Sequence, residues 1–168
     1  MALTLAAVVA CGGPTPRPSP TPNDAALHAF PALEARLPAE VDGHPLSKVS
    51  VAAPADQQDP KTLEVIRRVG RTAADLQVAI ATGAGGDLEV GAFRIVGAEG
   101  VQIVVHFQAV EEEDPRSTAT YGVATIGGRR LLTRTAETQL TYLYPAEDIM
   151  FMLSGEPELV EEALGLLP

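Results

Sequence analysis

The sequence predicts an α+β fold, in which an antiparallel sheet built from hairpins has helices packed on one face. Three observations lead to this prediction. Segments in which apolar and polar residues alternate, as in strands, occur in pairs separated by short turns. Three segments with helical spacing begin at a proline, which suits the first turn of a helix. A weak internal repeat also places a hairpin before each of two predicted helices.

The first ten residues, MALTLAAVVA, are uncharged and apolar. Because a helix needs about 20 apolar residues to cross a bilayer, this stretch fits the apolar region of a signal peptide better than a membrane span. A secretion signal usually opens with Lys or Arg, which this stretch lacks; a start codon upstream of Met1 would account for the difference. We expect residues 1–10 to be a signal peptide of the lipoprotein type.

Cys11 is the only cysteine of the chain. Together with Val8-Val9-Ala10 it resembles the lipobox of bacterial lipoproteins, whose cysteine receives a diacylglycerol thioether and becomes the mature N-terminus. A buried cysteine in a short N-terminal helix is the alternative, but Gly12-Gly13 and a proline run leave that helix nothing to continue into. Lipidation of Cys11 would leave the mature domain without a free thiol, which excludes disulfides and thiol catalysis.

Residues 11–23 form the lipid-anchored cysteine and a proline-rich tether, with prolines at every second position from Pro14 to Pro22. Proline favours the polyproline II helix, which rises about 3.1 Å per residue, so residues 12–23 would reach roughly 35 Å. We expect a spacer that lifts a domain off the membrane. A proline-rich ligand for a partner domain is the alternative interpretation.

A single α+β domain is predicted over residues 24–168. Its first helix begins at Pro31 and stops before Pro38, and the stretch from Leu46 alternates as an edge strand does.

A second helix has the clearest boundaries in the chain. Asp59 supplies the N-cap, Pro60 lies in the first turn and Gly70 ends the helix. Its apolar stripe, which should dock on the sheet, consists of Leu63, Ile66 and Val69.

Three hairpins and a last helix follow. The hairpins pair residues 76–81 with 88–96, residues 120–126 with 129–135, and residues 139–144 with 149–154. Gly127-Gly128 suits the positive dihedrals of a two-residue type I′ turn. Pro157 begins the last helix, with Glu156 and Glu158 near its positive end.

The stretch from Gly100 to Val110 fits either structure, because its apolar residues satisfy both strand and helix spacing. The internal repeat favours a helix: Phe93 aligns with Phe151, and Val101 aligns with Leu159 of the last helix. The acidic residues 111–114 would then lie unfavourably at the negative end of that helix.

The third hairpin suggests a contact surface. If Tyr144 pairs with Ile149, one face carries most of the aromatic and aliphatic residues and forms the core. The opposite face is unusually apolar, and we interpret it as a possible binding surface formed by Met150, Met152 and Leu143. The alternative is that one of the earlier helices covers this face and makes the methionines part of the core.

Charge disfavours one class of partner. The chain has 22 acidic and 12 basic residues, and its only cluster of basic residues lies between Arg67 and Arg71. Binding to nucleic acid, or to an anionic membrane through charge, is therefore not expected. The acidic run 111–114 lacks the alternating ligand spacing of a calcium loop, so we interpret it as a solvated turn.

No motif predicts catalytic residues, a metal site or a cofactor. Gly83, Gly85 and Gly86 follow a strand but lack the Lys-Ser/Thr of a phosphate loop, so they should form a hairpin loop. The histidines, His28, His44 and His106, are too far apart in sequence to match the ligand spacing of a metal site on one element. The serines occur in no catalytic motif; they are Ser47, Ser50, Ser117 and Ser154.

Longer sequence segments in the domain also resemble bacterial lipoproteins. Four segments of the domain resemble a group of proline-tethered bacterial lipoproteins with no assigned function. These segments are PALEARLPAEVDGHPL, DLQVAIA, VGAFRIVGAEG and TYLYPAEDIMFMLSGEPELVEEAL. The resemblance spans most of the domain and implies an exported, anchored protein. It carries over no active site.

Two functional hypotheses follow. The first is a noncatalytic binding module on the extracytoplasmic face of the cell membrane, held through the lipid on Cys11 and recognising an unidentified protein or apolar ligand. The second is an extracytoplasmic enzyme of the hydrolase type whose site combines scattered acids with Tyr121, Arg94 or His106. The sequence leaves the oligomeric state open.

Overall fold

The computed structural model of the chain describes residues 27–52 and 54–168. The predicted signal peptide, the predicted lipidation site Cys11 and the predicted tether lie outside the described residues. The helices are α1 (Pro31–Glu34), α2 (Pro60–Arg68), α3 (Gly100–Glu113) and α4 (Pro157–Leu166). The strands are β1 (Glu40–Val41), β2 (His44–Pro45), β3 (Ser47–Val51), β4 (Leu76–Thr82), β5 (Leu88–Ile95), β6 (Thr120–Ile126), β7 (Arg129–Ala136), β8 (Gln139–Ala146) and β9 (Ile149–Gly155).

Seven of these strands form one sheet in the order β3-β4-β5-β9-β8-β7-β6. Every neighbouring pair is antiparallel, and strands β1 and β2 form a separate two-stranded hairpin. The predicted α+β class, with an antiparallel sheet built from hairpins, is confirmed.

Helices cover both faces of this sheet, so the prediction that they pack on one face is wrong. Strand β9 shows the arrangement, because its residues alternate between two apolar clusters. Phe151 packs with residues of α1 and α4, on what we call the α4 face. Met150 packs with residues of α2 and α3, on the opposite α3 face. The continuous apolar run from Ile149 to Leu153 is what a strand buried on both faces requires.

The internal repeat predicted that a helix follows each of two hairpins, but not which face of the sheet each helix covers. Strand β5 ends at Ile95 and α3 begins at Gly100, whereas β9 ends at Gly155 and α4 begins at Pro157. The connection after β5 is therefore longer, and the two helices return to opposite faces of the sheet.

Local chemistry explains α2. The Asp59 carboxylate accepts a hydrogen bond from the Thr62 N–H at 3.0 Å, and Gly70 has a φ of 72° just after the helix. Ile66 is buried at 2 % exposure, while Leu63 and Val69 pack partly buried around the same cluster. The predicted boundaries and docking stripe are confirmed, as is the helix from Gly100.

The turn between β6 and β7 forms as predicted, whereas the strand pairing of the last hairpin differs from the prediction. Gly127 and Gly128 have φ values of 55° and 78°, as a type I′ turn requires. In the last hairpin Tyr144 pairs with Phe151, not with Ile149, and Pro145 lies inside β8. Because this error in register is two residues, each side chain still lies on its predicted face.

Candidate functional site

A cleft with a volume of about 250 Å³ opens where three turns of the chain meet. The turns are the β1–β2 turn, the loop between β4 and β5, and the junction of β9 with α4. The cleft is lined by Val41, Asp42, His44, Leu46, Gly83, Ala84, Gly85, Asp87, Leu88, Glu156 and Leu159.

The β4–β5 loop is tight, as predicted for its glycines. The Gly83 N–H donates to the Leu88 carbonyl at 3.0 Å, and the Gly86 N–H donates to the Gly83 carbonyl at 3.0 Å. A Cβ on Gly83 would lie 2.5 Å from Oδ1 of Asp87, so the glycine leaves room for the carboxylate to fold over the loop. This packing fixes the Asp87 side chain at the mouth of the cleft.

The end of β9 is held against the same loop. The Glu156 N–H donates to the Asp87 carbonyl at 3.1 Å. Gly155 has a φ of 146°, and a Cβ there would collide with the Asp87 carbonyl oxygen. The glycine therefore permits the close approach that brings Glu156 beside Asp87.

The β1–β2 turn completes the rim of the cleft. Asp42 and Gly43 have φ values of 51° and 70°, a conformation that aspartate and glycine tolerate better than other residues. The Asp42 N–H donates to Oε1 of Glu162 on α4 at 2.8 Å. This bond holds the turn, with His44 just after it, against the middle of the helix.

The cleft combines an apolar floor with an acidic rim. Val41 and Leu88, at 3 % and 1 % exposure, belong to the floor. The rim carries three carboxylates, of Asp42, Asp87 and Glu156, none of which forms an ion pair with another described residue. Within the described part of the chain, no three His, Cys, Asp or Glu residues lie close enough together to hold a metal ion. The apolar floor and the three rim carboxylates together suit an organic cation with a small apolar part.

A second polar cluster lies on the α3 face, at the end of α3. Glu111 is 5 % exposed, so the prediction of a solvated acidic turn is wrong for this residue. The Arg134 guanidinium donates to both Glu111 carboxylate oxygens, at 2.6 and 2.8 Å, and the Tyr121 hydroxyl donates at 2.6 Å. The nearby Lys61 ammonium pairs with Asp114 at 3.0 Å.

The electrostatics of this cluster indicate a structural role. The Arg134 guanidinium is the main cause that holds the pKa of Glu111 below its ordinary value. Burial, together with the Glu111 carboxylate that accepts a hydrogen bond from its hydroxyl, raises the pKa of Tyr121. Glu111 is thus held ionised and Tyr121 protonated, and the contacts fasten the β6–β7 hairpin to α3.

The predicted contact surface does not lie at the surface. Leu143 and Met150 are 0 % and 1 % exposed, and Met152 is half-buried. Residues of α2 and α3 cover all three side chains, Val65 and Ile66 among them. The interpretation of this face as an exposed binding surface is therefore wrong, and the alternative that an earlier helix covers it is correct.

The residues proposed for an enzyme are distributed over both faces of the sheet. Arg94 pairs with Asp148, with 2.6 Å between Nε and Oδ2, and strand alternation places it on the α4 face. Tyr121 packs on the α3 face, and His106 lies half-exposed along α3.

His28 and Ser50 both bind Glu34. The His28 Nδ1 lies 3.0 Å from each Glu34 carboxylate oxygen, and the Ser50 hydroxyl donates to Oε1 at 2.5 Å. The Ser50 hydroxyl is fully buried, at 0 % exposure, so no substrate can reach it in this structure. The cluster therefore joins the N-terminal segment to α1 and β3.

Comparison of the chain with protein-family models, with curated proteins and with solved structures finds no match. None of the helices in the described part of the chain is long and apolar enough to span a bilayer.

Proposed function

We propose that this chain is a lipid-anchored lipoprotein that displays a noncatalytic binding domain on the extracytoplasmic face of the cell membrane. The observation that carries the proposal is Val8-Val9-Ala10-Cys11, followed directly by Gly12-Gly13 and the alternating prolines. The resemblance to proline-tethered lipoproteins supports the same organisation.

The cleft at the three turns is the binding site in this proposal. Its volume is slightly below the roughly 300–1,000 Å³ typical of pockets for drug-sized ligands, so it accepts a group about the size of one side chain. The rim carboxylates of Asp42, Asp87 and Glu156 favour a positive charge on that group. We therefore propose a ligand that carries a protonated amine or guanidinium on a short hydrocarbon chain.

Fractionation of the native host tests the anchor. Wild-type protein, expressed with its leader, should partition into the detergent phase of a Triton X-114 extract. Cys11→Ser should move to the aqueous phase or accumulate as the uncleaved precursor, whereas the control Ser19→Ala in the tether should behave as wild type. Wild-type protein in the aqueous phase would contradict the proposal.

Ligand titration followed by two-dimensional NMR tests the cleft. Butylammonium should shift the resonances of cleft residues, whereas neutral butanol, of similar size, should shift them much less. Glu156→Gln should weaken butylammonium binding by about two- to five-fold, as expected for one exposed ion pair.

Glu158→Gln is the matched control, because Glu158 is also exposed on the first turn of α4 but does not line the cleft. It should leave the affinity unchanged. Equal binding of butanol and butylammonium, or equal weakening by both substitutions, would show that the cleft does not recognise the cation.

A further inference from the structure

The two edges of the seven-stranded sheet differ in how they are protected. The outer side of β3 is bridged by the N-terminal segment at Ser50: His28 bridges to Ser50, and the Ala29 N–H donates to the Ser50 carbonyl at 2.9 Å. The Phe30 N–H also donates to the Ser50 hydroxyl at 2.7 Å. In the described part of the chain, this segment leaves β6 as the sheet edge without a backbone partner.

Strand β6 has none of the features that normally prevent edge strands from pairing with other chains. Natural edges are short, bulged, or interrupted by charged residues and proline. Strand β6 runs for seven residues, Thr120–Ile126, pairs regularly with β7 throughout, and contains no charged residue and no proline. The backbone groups on this edge are therefore open to pairing with another strand.

An apolar row across the sheet ends at this edge. The register places Met152 beside Leu143, Leu143 beside Leu132, and Leu132 beside Val123. Burial decreases along the row, from 0 % exposure at Leu143 to 57 % at Val123. The core on the α3 face therefore continues to an exposed valine at the centre of the free strand.

We propose that β6 pairs antiparallel with β6 of a second copy of this chain, with the two-fold axis at Val123. The apolar row would then continue directly through Val123 of both copies to Leu132 of the second. Tyr121 would lie opposite Thr125 of the second copy, an aromatic and β-branched pair that favours strand pairing. No charged side chain within β6 opposes another across this contact.

A dimer through one strand edge buries little surface, so it should be weak in solution. Anchoring both copies in one membrane raises their effective concentration and favours the dimer. This enhancement depends on the proposed lipid anchor, whereas the pairing itself does not, so experiments on unlipidated protein separate the two proposals.

Cysteine cross-linking tests the register. In the full-length chain with Cys11→Ser, Val123→Cys should form a disulfide-linked dimer on mild oxidation, because opposite Cβ atoms lie about 4.5–5.5 Å apart. The matched control is Thr125→Cys, on the same face of the same strand. Its counterpart would be four residues further along the strand, about 13 Å away, beyond the reach of a disulfide. Equal cross-linking at both positions would overturn the proposed pairing.

Sedimentation equilibrium of the full-length chain with Cys11→Ser, but without an added cysteine, tests the association. The apparent mass should rise with protein concentration towards that of a dimer. Val123→Lys, which places like charges opposite each other, should weaken association at least tenfold, whereas Val123→Thr should retain it. Both variants should keep the wild-type thermal midpoint, since Val123 is mostly exposed. A monomeric mass at every concentration, or association that Val123→Lys does not weaken, would overturn the proposal.

Discussion

Replacing Glu111 by glutamine should destabilise the domain strongly, although the residue lies in a run of four acidic residues. The substitution keeps the shape of the side chain but removes the charge that faces Arg134. It also replaces one carboxylate oxygen by an amide nitrogen, which cannot accept the bonds that Arg134 and Tyr121 now donate. The buried guanidinium then loses its counter-charge.

The magnitude follows from the burial of the pair. The Glu111 and Arg134 side chains are 7 % and 20 % exposed, so water compensates only part of the loss. Removal of one partner of a buried ion pair costs about 3–5 kcal/mol, and the partial exposure of Arg134 places this case near about 3 kcal/mol. Glu112→Gln is the control, because Glu112 is exposed and its side chain bonds only Gln108 among the described residues, so it should change stability by less than about 0.5 kcal/mol.

Urea unfolding near neutral pH measures this difference, and its pH dependence gives a second test. The folded-state pKa of Glu111 lies below its ordinary value of 4.5. Its stabilising contribution is therefore complete above that ordinary value and is lost as the pH falls through the lower, folded-state value. The Glu111→Gln protein should lose less stability than wild type over the same acid range.

Two results would show that Glu111 and Arg134 do not form a stabilising buried ion pair. The first is a loss of less than about 1 kcal/mol for Glu111→Gln, which is the range of an exposed ion pair. The second is an unchanged acid dependence of stability after the substitution, which would mean that Glu111 has the same pKa in the folded and unfolded protein.

Two further predictions concern the core and the cleft. Ile66→Ala should cost about 2–5 kcal/mol in denaturant unfolding, since Ile66 is 2 % exposed under α2; a loss below about 0.5 kcal/mol would remove this helix from the core. Gly155→Ala should lower the thermal midpoint, because the new Cβ collides with the Asp87 carbonyl, whereas Gly165→Ala in α4 meets open space and should stabilise by up to about 1 kcal/mol. Equal effects of the two glycine substitutions would contradict the packing of β9 against the loop.

Local signals were sufficient for much of the fold. Asp59 and Pro60 define the start of α2 through hydrogen bonding and backbone restriction within one turn, and Gly127-Gly128 defines its hairpin in the same way. The side of the sheet that each helix covers depends instead on the connections after β5 and β9, which local propensity does not describe. The apolar run around Met150 carried that information, because a strand with an exposed face would alternate.

The candidate site was beyond sequence reasoning for a related reason. Its rim carboxylates come from Asp42, Asp87 and Glu156, which lie in three distant turns and have no common spacing. The burial of Glu111 depends on Arg134, a residue from another strand, so the acidic run alone indicated a solvated turn. Only contacts between distant segments distinguish these carboxylates from ordinary surface residues.

Mass spectrometry of the N-terminal peptide, from protein purified out of native host membranes, tests the lipid anchor itself. The mature chain should begin at Cys11, and this residue should carry the mass of a diacylglycerol thioether. A chain that retains the residues before Cys11 and has an unmodified thiol would show that the protein is not anchored in this way.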